Sequence, residues 1–348
     1  MMDHPVLVSV VIPLYNKENF IGETLRSVLN QTFESLEIIV VNDGSTDSSL
    51  AVVKEFSDDR IVILEQQNRG VEAARNNGFE LSQGELVIFL DGDDQMLPER
   101  IERQVTFMLE HPSCALSGTW AQVVRHGTPT RRVIAPPCGP TALKLALAFE
   151  NPFVCSSVMV RRLALQVSGA FKESQGSRFV EDYELWSRIA EFGEVRNLGE
   201  ILTTYVEVEV SRSRTNAVSL AHMACEISAL NIHKLTNGEA DYRVAYDLSL
   251  LGFGDGSALP KNRLRLSEIV RIHSLIRKQL ETMDAEDSDE FLAVFRRQRL
   301  QLIQGWTIQN FPPWVLKHLF SIIRAIKRRV IMRRLHDLVS QLTKRHTW

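Results

Sequence analysis

The chain has 348 residues, more than one typical domain needs, so we expect two domains or one domain with a long appendage. Hydrophobic residues make up 44% of the sequence, charged residues make up 24%, and the net charge is -3. These values exclude an intrinsically disordered chain and predict no nucleic acid among the partners.

The cysteines and the N-terminal stretch bear on the cellular compartment. The four cysteines form no CxxC pair and have no regular spacing to the nine histidines, so neither a zinc site nor a disulfide framework is indicated. The first residues lack the basic region of a signal peptide, and no apolar run reaches the roughly 18 residues of a spanning helix. We expect a cytoplasmic protein whose membrane contact, if any, is peripheral.

In the first third of the chain, short apolar runs alternate with helical patterns, which is typical of βα units around a parallel sheet. The fold class is therefore predicted to be α/β. The predicted strands are 7–13, 37–43, 61–66 and 86–91, and the predicted helices are 20–29, 50–56 and 70–81.

The fourth predicted strand, LVIFLD, runs straight into a cluster of carboxylates at Asp91, Asp93 and Asp94. Ligands of parallel sheets collect beyond the carboxyl ends of the strands, and clustered acids repel each other unless a cation or a proton intervenes. Oxygen ligands of this kind suit Mg²⁺ or Mn²⁺ carrying phosphate groups. A turn followed by the start of a helix explains the same residues, and both interpretations stay open at this point.

The loops after the first two strands could hold a nucleotide. Asp43 ends the second strand at the same edge and could accept a hydrogen bond from a base, while Tyr15 could stack on that base. Neither GxGxxG nor GxxxxGK[ST] follows the first strand, so a nucleotide would be held without these phosphate-binding loops. A surface tyrosine and a helix-capping aspartate are the alternatives.

The middle of the chain is predicted to extend the same fold. Its basic, turn-rich segment 125–140 is expected to be a mobile loop over the cleft, with no ligand assigned to Arg131 and Arg132, and 211–215 is expected to act as a lid. The predicted helices are 98–110, 161–167 and 177–193, and the predicted strands are 114–124, 153–162 and 201–210.

Glu181 and Asp182 fall in the first turn of the predicted helix 177–193, where the helix dipole keeps carboxylates ionised. On the residues alone, they cap this helix. Trp186, one turn further on, either contacts a ligand or belongs to the core.

Three stretches carry a resemblance to a known family. VSVVIPLYN, VVNDGSTD and QNRGVEAARNNGFELSQGELVIFLDGDD, in this order, resemble the nucleotide-binding half of glycosyltransferase family 2 over roughly the first 110 residues. The resemblance implies a GT-A fold, in which a Rossmann-like, mixed and mostly parallel sheet is flanked by helices.

The resemblance also implies roles for individual residues. Pro13, Tyr15 and Asp43 would hold the nucleoside of the donor, and Arg75 would lie near its diphosphate. Asp91-Gly92-Asp93 matches the DXD element, with Asp91 at the donor and Asp93 binding Mn²⁺ or Mg²⁺. Asp94 is expected next to the metal ligand Asp93, without direct contact to the metal. In the ED motif Asp182 would be the catalytic base, and Glu181 and Trp186 are candidates for contacting the acceptor.

The implied activity is inverting transfer of a single sugar from a nucleotide-diphosphate sugar, with a UDP-sugar favoured, to a hydroxyl of a glycan or lipid-linked acceptor. Such a reaction would serve cell-surface polysaccharide or glycolipid synthesis. QLIQGW (301–306) lacks the arginine of the processive QxxRW element, which favours single transfer. A nucleotidyltransferase and a non-catalytic sugar-nucleotide-binding subunit are the alternatives.

We divide the chain into a catalytic domain, 1–215, with halves 1–110 and 111–215, and a helical C-terminal region, 216–348. The last part, near 314–345, has the pattern of a basic amphipathic helix. Contact with an anionic membrane surface is favoured over packing on neighbouring helices, but both remain open.

Overall fold

The structure is a computed structural model that describes residues 6–173, 180–208, 217–253, 264–280 and 288–310. The strands are β1 (Val8–Leu14), β2 (Leu36–Asp43), β3 (Ile61–Gln66), β4 (Leu86–Phe89), β5 (Gln95–Met96), β6 (Cys114–Arg125), β7 (Thr128–Ile134), β8 (Met159–Arg161) and β9 (Glu194–Val206). Over these described ranges they form one mixed sheet with the order β3-β2-β1-β4-β8-β6-β9-β5, and β7 pairs with β6.

Helices cover both faces of this sheet, which confirms the predicted α/β class. The helices of the catalytic part are α1 (Ile21–Leu29), α2 (Ser49–Lys54), α3 (Val71–Leu81), α4 (Arg100–Glu110), α5 (Pro140–Leu147), α6 (Arg162–Ser168) and α7 (Glu181–Phe192). A short 3₁₀ helix, Cys155–Ser157, precedes β8. The remaining helices are α8 (Ala217–Leu235), α9 (Tyr242–Gly252), α10 (Leu266–Leu280) and α11 (Ser288–Asn310).

The strands β1 to β4 form the parallel block that the sequence predicted. β1 pairs in parallel with β2 and β4, and β2 pairs in parallel with β3. Every residue of β1 is buried: Val11 packs in the core under α3 and α7, whereas Val10 and Ile12 pack on the opposite face with α1 and α4. Burial on both faces explains the unbroken apolar run in place of an alternating pattern.

Gly78 lets α3 approach the sheet closely. A Cβ atom at this position would lie 2.4 Å from Val11 Cγ1 and 3.0 Å from Val41 Cγ2, so any larger residue would push the helix away from β1 and β2. Arg75 lies one helical turn earlier on the same face of α3. The close approach therefore brings its guanidinium to the carboxyl ends of the strands.

The second half of the sheet differs from the prediction in several places. The segment 125–140 is not a mobile loop, because β7 pairs antiparallel with β6 and α5 begins at Pro140. The predicted strand 153–162 is reduced to β8, preceded by the 3₁₀ helix, and β9 begins at Glu194 instead of residue 201. β5 was not predicted. The predicted lid, 211–215, lies outside the described residues.

The helices after residue 217 share a core with α5, and Ala224 of α8 also packs in the core beside α7. Glu290, in the first turn of α11, accepts hydrogen bonds from the backbone N–H groups of Cys138 (2.8 Å) and Gly139 (2.7 Å), just before α5 begins. Along the described part of the chain, no helix combines the length and apolar character needed to cross a membrane. The proposed domain boundary at 215 stays a prediction, and the basic segment 314–345 lies outside the described residues.

Candidate active site

A cleft of about 520 Å³ opens at the carboxyl ends of β1, β2 and β4. Eight of the nine predicted site residues line it: Pro13, Tyr15, Asp43, Arg75, Asp91, Asp93, Glu181 and Asp182. They come from five separate parts of the chain. The parallel order of β2, β1 and β4 explains the meeting of Asp43, Tyr15 and Asp91, because parallel strands end at the same edge. The roles of these residues stay predictions, although their proximity is a finding.

The acid cluster after β4 divides into two environments. Asp93 faces the cleft and contacts the ammonium group of Lys17. Burial raises the pKa of Asp93; the charge of Lys17 opposes this rise, and the charge of Asp91 adds to it. Asp94 is 2% exposed and turns away from the cleft to accept a hydrogen bond from the backbone N–H of Val206 (2.8 Å). Burial, with the charges of Asp93 and Asp91, raises the pKa of Asp94 well above its ordinary value.

Arg75 joins the two halves of the site. Its side chain is only 4% exposed, and it donates to Asp91 Oδ1 (2.8 Å) and to Glu181 Oε1 (3.0 Å). The guanidinium also lies 5.1 Å from the ring centroid of Phe171. A planar, always charged group with several donors suits such a bridge between two carboxylates. Arg75 therefore fixes the first turn of α7 relative to the end of β4.

Asp182 is held by two hydrogen bonds at the start of α7. Its Oδ2 accepts from Asn151 Nδ2 (2.9 Å), and its Oδ1 accepts from the backbone N–H of Tyr183 (2.7 Å). Burial is the largest cause that raises the pKa of Asp182 to about 7, and the charge of Glu181 adds to it, while Arg75 and both hydrogen bonds oppose the rise. A carboxylate with a pKa near neutrality is well matched to proton abstraction at neutral pH.

The nucleoside end of the cleft contains Tyr15 and Asp43. Tyr15 is 44% exposed, so its ring is open to stacking. Asp43 is buried and accepts from Gln66 Nε2 (2.8 Å) and from the backbone N–H groups of Arg69 (2.8 Å) and Gly70 (3.0 Å). These bonds fix its carboxylate, and only Oδ2, with a single bond, keeps capacity for a ligand.

Two expectations for the acceptor side need correction or refinement. Trp186 does not line the cleft: its side chain is 0% exposed and packs edge-on against Phe171 in the core, so the apolar interpretation of its helical spacing was the correct one. Glu181 does line the cleft, but Arg75 occupies its Oε1. A role of Glu181 toward the acceptor stays a prediction.

Sequence reasoning missed three residues of the site: Lys17, Asn151 and Tyr205. Lys17 lies two positions after Tyr15 in the loop beyond β1, and a basic residue there was the available signal. Asn151 follows α5, which was not predicted, and no local pattern marks it. Tyr205 belongs to β9, whose end reaches the cleft only because β9 pairs in parallel with β6.

The residues present fit a divalent cation that binds together with a phosphate ligand. Within the described ranges, no three His, Cys, Asp or Glu side chains converge as a complete protein cage. A Mg²⁺-type site needs only one or two carboxylates when water and substrate phosphates complete the shell. Asp93 provides such a carboxylate, and the ammonium of Lys17 on it marks a position where positive charge is accommodated.

The fold and the cleft together define a protein of the GT-A class, as the sequence predicted. Solved structures with the same fold include the 1–349 fragment of TarS from S. aureus in complex with UDP-GlcNAc, with a TM-score of 0.56 and 18% identity over 86% of this chain and 92% of that one. The mannosyltransferase PcManGT from Pyrobaculum calidifontis, in complex with GDP-Man and Mn²⁺, has a TM-score of 0.50 and 16% identity, covering 88% of each chain.

Residues 9–167 match the model of glycosyl transferase family 2. The teichuronic acid biosynthesis glycosyltransferase TuaG of Bacillus subtilis, a name given as putative, is 37% identical over 45% of this chain and 62% of its own length. GlyA of Streptococcus pneumoniae is 40% identical over 32% of this chain and 16% of its own length. Over residues 9–167 this chain is therefore similar to glycosyltransferase family 2, and it spans less than two thirds of the length of these relatives.

Proposed function

We propose that the protein transfers a single sugar from a nucleotide-diphosphate sugar to a hydroxyl acceptor, with inversion at the anomeric carbon. The observation that carries this proposal is the opening of Asp93 and Asp182 onto the same cleft, together with Tyr15 and Asp43. One end of this cleft suits a nucleoside diphosphate, and the other end presents a carboxylate with the pKa of a base.

The donor would lie along the carboxyl ends of β1, β2 and β4. Tyr15 and Pro13 would pack against the base and ribose, and Asp43 Oδ2 would accept a base N–H, such as the N3–H of uracil in a UDP-sugar. A divalent cation, Mn²⁺ or Mg²⁺, would be held chiefly by Asp93, with Asp91 nearby, and when bound it supplies positive charge to the leaving diphosphate. UDP-GlcNAc in TarS and GDP-Man with Mn²⁺ in PcManGT support a donor of this class.

Asp182 would act on the acceptor. A sugar hydroxyl is a poor nucleophile until its proton is removed in the transition state. Asp182, oriented by Asn151 and Tyr183, would take this proton while the new bond forms on the face opposite the leaving group. A single displacement of this kind inverts the anomeric configuration.

The acceptor would be a glycan or a lipid-linked glycan in cell-surface polysaccharide synthesis, as the name of TuaG suggests for that relative. A lipid-linked acceptor would bring the protein to the cytoplasmic face of the membrane. The basic segment 314–345 is our candidate for this peripheral contact.

Thermal stabilisation across a panel of nucleotide sugars, with and without Mn²⁺ or Mg²⁺, identifies the donor. A ligand present at about 100 times its Kd adds about 2.7 kcal/mol of stability. We expect one UDP-sugar to stabilise the chain selectively and only with metal. Asp93→Asn should abolish the metal-dependent stabilisation by the donor. Asp59→Asn, which changes an exposed acid outside the cleft, should leave this stabilisation unchanged.

Transfer itself is tested with the donor found in this way. Asp182→Asn should lower turnover about a hundredfold or more while leaving donor binding intact. Proton NMR of the first product should show the inverted anomer. A retained anomer, or near-normal turnover of the Asp182→Asn variant, would contradict the proposed single displacement.

A further inference from the structure

The backbone of Lys17 is fixed at the turn between β1 and α1. Its N–H donates to Ser49 Oγ (2.6 Å), and its carbonyl oxygen accepts from the N–H groups of Phe20 (2.9 Å) and Ile21 (3.0 Å). From this anchor the side chain, 31% exposed, reaches across the cleft to Asp93 Oδ2. The ammonium is therefore carried by a flexible side chain on a backbone that hydrogen bonds hold in place.

The charges around the cleft show why Lys17 differs from the other cation. Among the residues that the structure describes, five carboxylates line it, those of Asp43, Asp91, Asp93, Glu181 and Asp182, and two cations do, Arg75 and Lys17. Arg75 is buried and bound to two carboxylates, so it cannot leave without unpairing both. Lys17 contacts one carboxylate through a flexible four-carbon side chain, which makes it the cation that can move.

We propose that Lys17 is an exchangeable counterion: it neutralises Asp93 in the free protein and is displaced onto the donor diphosphate when a divalent cation binds Asp93. This inference rests on the proposed function. Two cations cannot share one carboxylate oxygen without repulsion, so the metal and the ammonium compete for Asp93 Oδ2. The displaced ammonium remains tethered within reach of the site and meets the phosphate oxygens that arrive with the metal.

The exchange predicts that metal and nucleotide bind cooperatively. Metal alone must displace Lys17 without compensation and binds weakly. Metal together with a nucleoside diphosphate gives the ammonium a new anionic partner, so each ligand strengthens the other by the same factor. A lysine that merely supported the fold would produce no such coupling.

The test compares wild type with Lys17→Met in two binding measurements. Free Mn²⁺ is counted by electron paramagnetic resonance without nucleotide, and UDP or GDP binding at saturating Mn²⁺ is measured by calorimetry. Lys17→Met should increase the affinity for Mn²⁺ in the absence of nucleotide by about fivefold or more. The same variant should lower the affinity for the nucleoside diphosphate by about tenfold or more, because the phosphate loses a charge-assisted hydrogen bond.

Two further variants make the result specific. Lys17→Arg keeps the positive charge and should restore weak Mn²⁺ binding and tight nucleotide binding. Lys54→Met removes a comparable lysine, paired with Glu65 at 3.0 Å outside the cleft, and should match wild type in both measurements.

Opposite changes in the two affinities support the exchange. Unchanged or weaker Mn²⁺ binding in Lys17→Met, in a chain that still binds nucleotide, would overturn the exchange alone. Tighter Mn²⁺ binding without any loss of nucleotide affinity would overturn the transfer of the ammonium to the diphosphate. A wild-type chain that binds neither Mn²⁺ nor a nucleoside diphosphate would overturn the proposed function itself.

Discussion

Replacing Asn151 with leucine should move the acid limb of the pH–rate profile to higher pH. In wild type, Asp182 has a pKa of about 7, because burial and the charge of Glu181 raise it. A general base works only when ionised, so transfer should fall as pH decreases through this value. Asn151 donates to Asp182 Oδ2 and thereby stabilises the ionised form. Without the amide of Asn151, Asp182 keeps its proton up to a higher pH.

The size of the shift follows from the energy of this hydrogen bond. A hydrogen bond to a charged group contributes about 1.5–3 kcal/mol, and one pKa unit corresponds to about 1.4 kcal/mol. Leucine has nearly the size of asparagine but offers no donor. We therefore expect the acid limb of Asn151→Leu to lie about one to two pH units above that of wild type.

The other groups around Asp182 should not obscure the shift. Arg75 stays charged across the range, and burial raises the pKa of the Cys155 thiol well above its ordinary value, so this thiol stays neutral. The assay is kcat/KM for the acceptor between about pH 5.5 and pH 9, at saturating donor and metal, followed by release of the nucleoside diphosphate.

Two controls complete this experiment. Asn30→Leu, an exposed asparagine outside the cleft, should keep the wild-type profile. Asp182→Asn should show low activity without an acid limb. A wild-type limb below about pH 5, or an unshifted limb in Asn151→Leu, would refute the assignment of Asp182 as a base tuned by its surroundings.

Three substitutions and one control, Gly22→Ala, test the packing of the chain by urea unfolding. Gly78→Ala should lower the free energy of unfolding by about 1–3 kcal/mol, because the new Cβ collides with β1. Gly22→Ala, where a Cβ would meet its neighbours at ordinary contact distances, should raise the free energy of unfolding by up to about 1 kcal/mol. Equal effects of the two substitutions would contradict the close approach of α3. Glu290→Ala should cost about 1–3 kcal/mol by leaving two backbone N–H groups before α5 unpaired, and a loss under about 0.5 kcal/mol would contradict this contact. Arg75→Met should cost about 3 kcal/mol, since it leaves two carboxylates unpaired, and a neutral effect would show that the bridge adds nothing to stability.

Much of the parallel block was predictable because β1, β2 and β4 are buried on both faces, and the chain becomes polar at or just after their ends, at one edge of the sheet. The apolar runs before Asp43 and Asp91 gave β2 and β4 almost residue by residue, and the motifs after them gave the positions that line the cleft. These apolar runs and motifs are local in the sequence, so they can be recognised without knowledge of the tertiary structure.

The remainder depended on contacts that a linear pattern does not encode. β7 is an edge strand whose residues are mostly exposed, so its sequence, TPTRRVI, shows no alternation to distinguish it from a loop. Trp186 has the spacing of either a core or a binding residue, and only the packing of Phe171 against it decides between the two. Lys17 and Asp93 are 76 positions apart, and their contact exists only because β1 and β4 are neighbours.

Through the two hydrogen bonds that Glu290 accepts just before α5, the last described helix supports the segment that leads to Asn151, and with it the proton transfer proposed for Asp182. The far end of α5 leads within a few residues to Asn151, which orients the carboxylate of Asp182. A shortened chain that stops before α11 would retain every described residue that lines the cleft, yet it would lose the two hydrogen bonds that hold the start of α5. Under the proposed mechanism, displacement of α11 would therefore change the rate of sugar transfer.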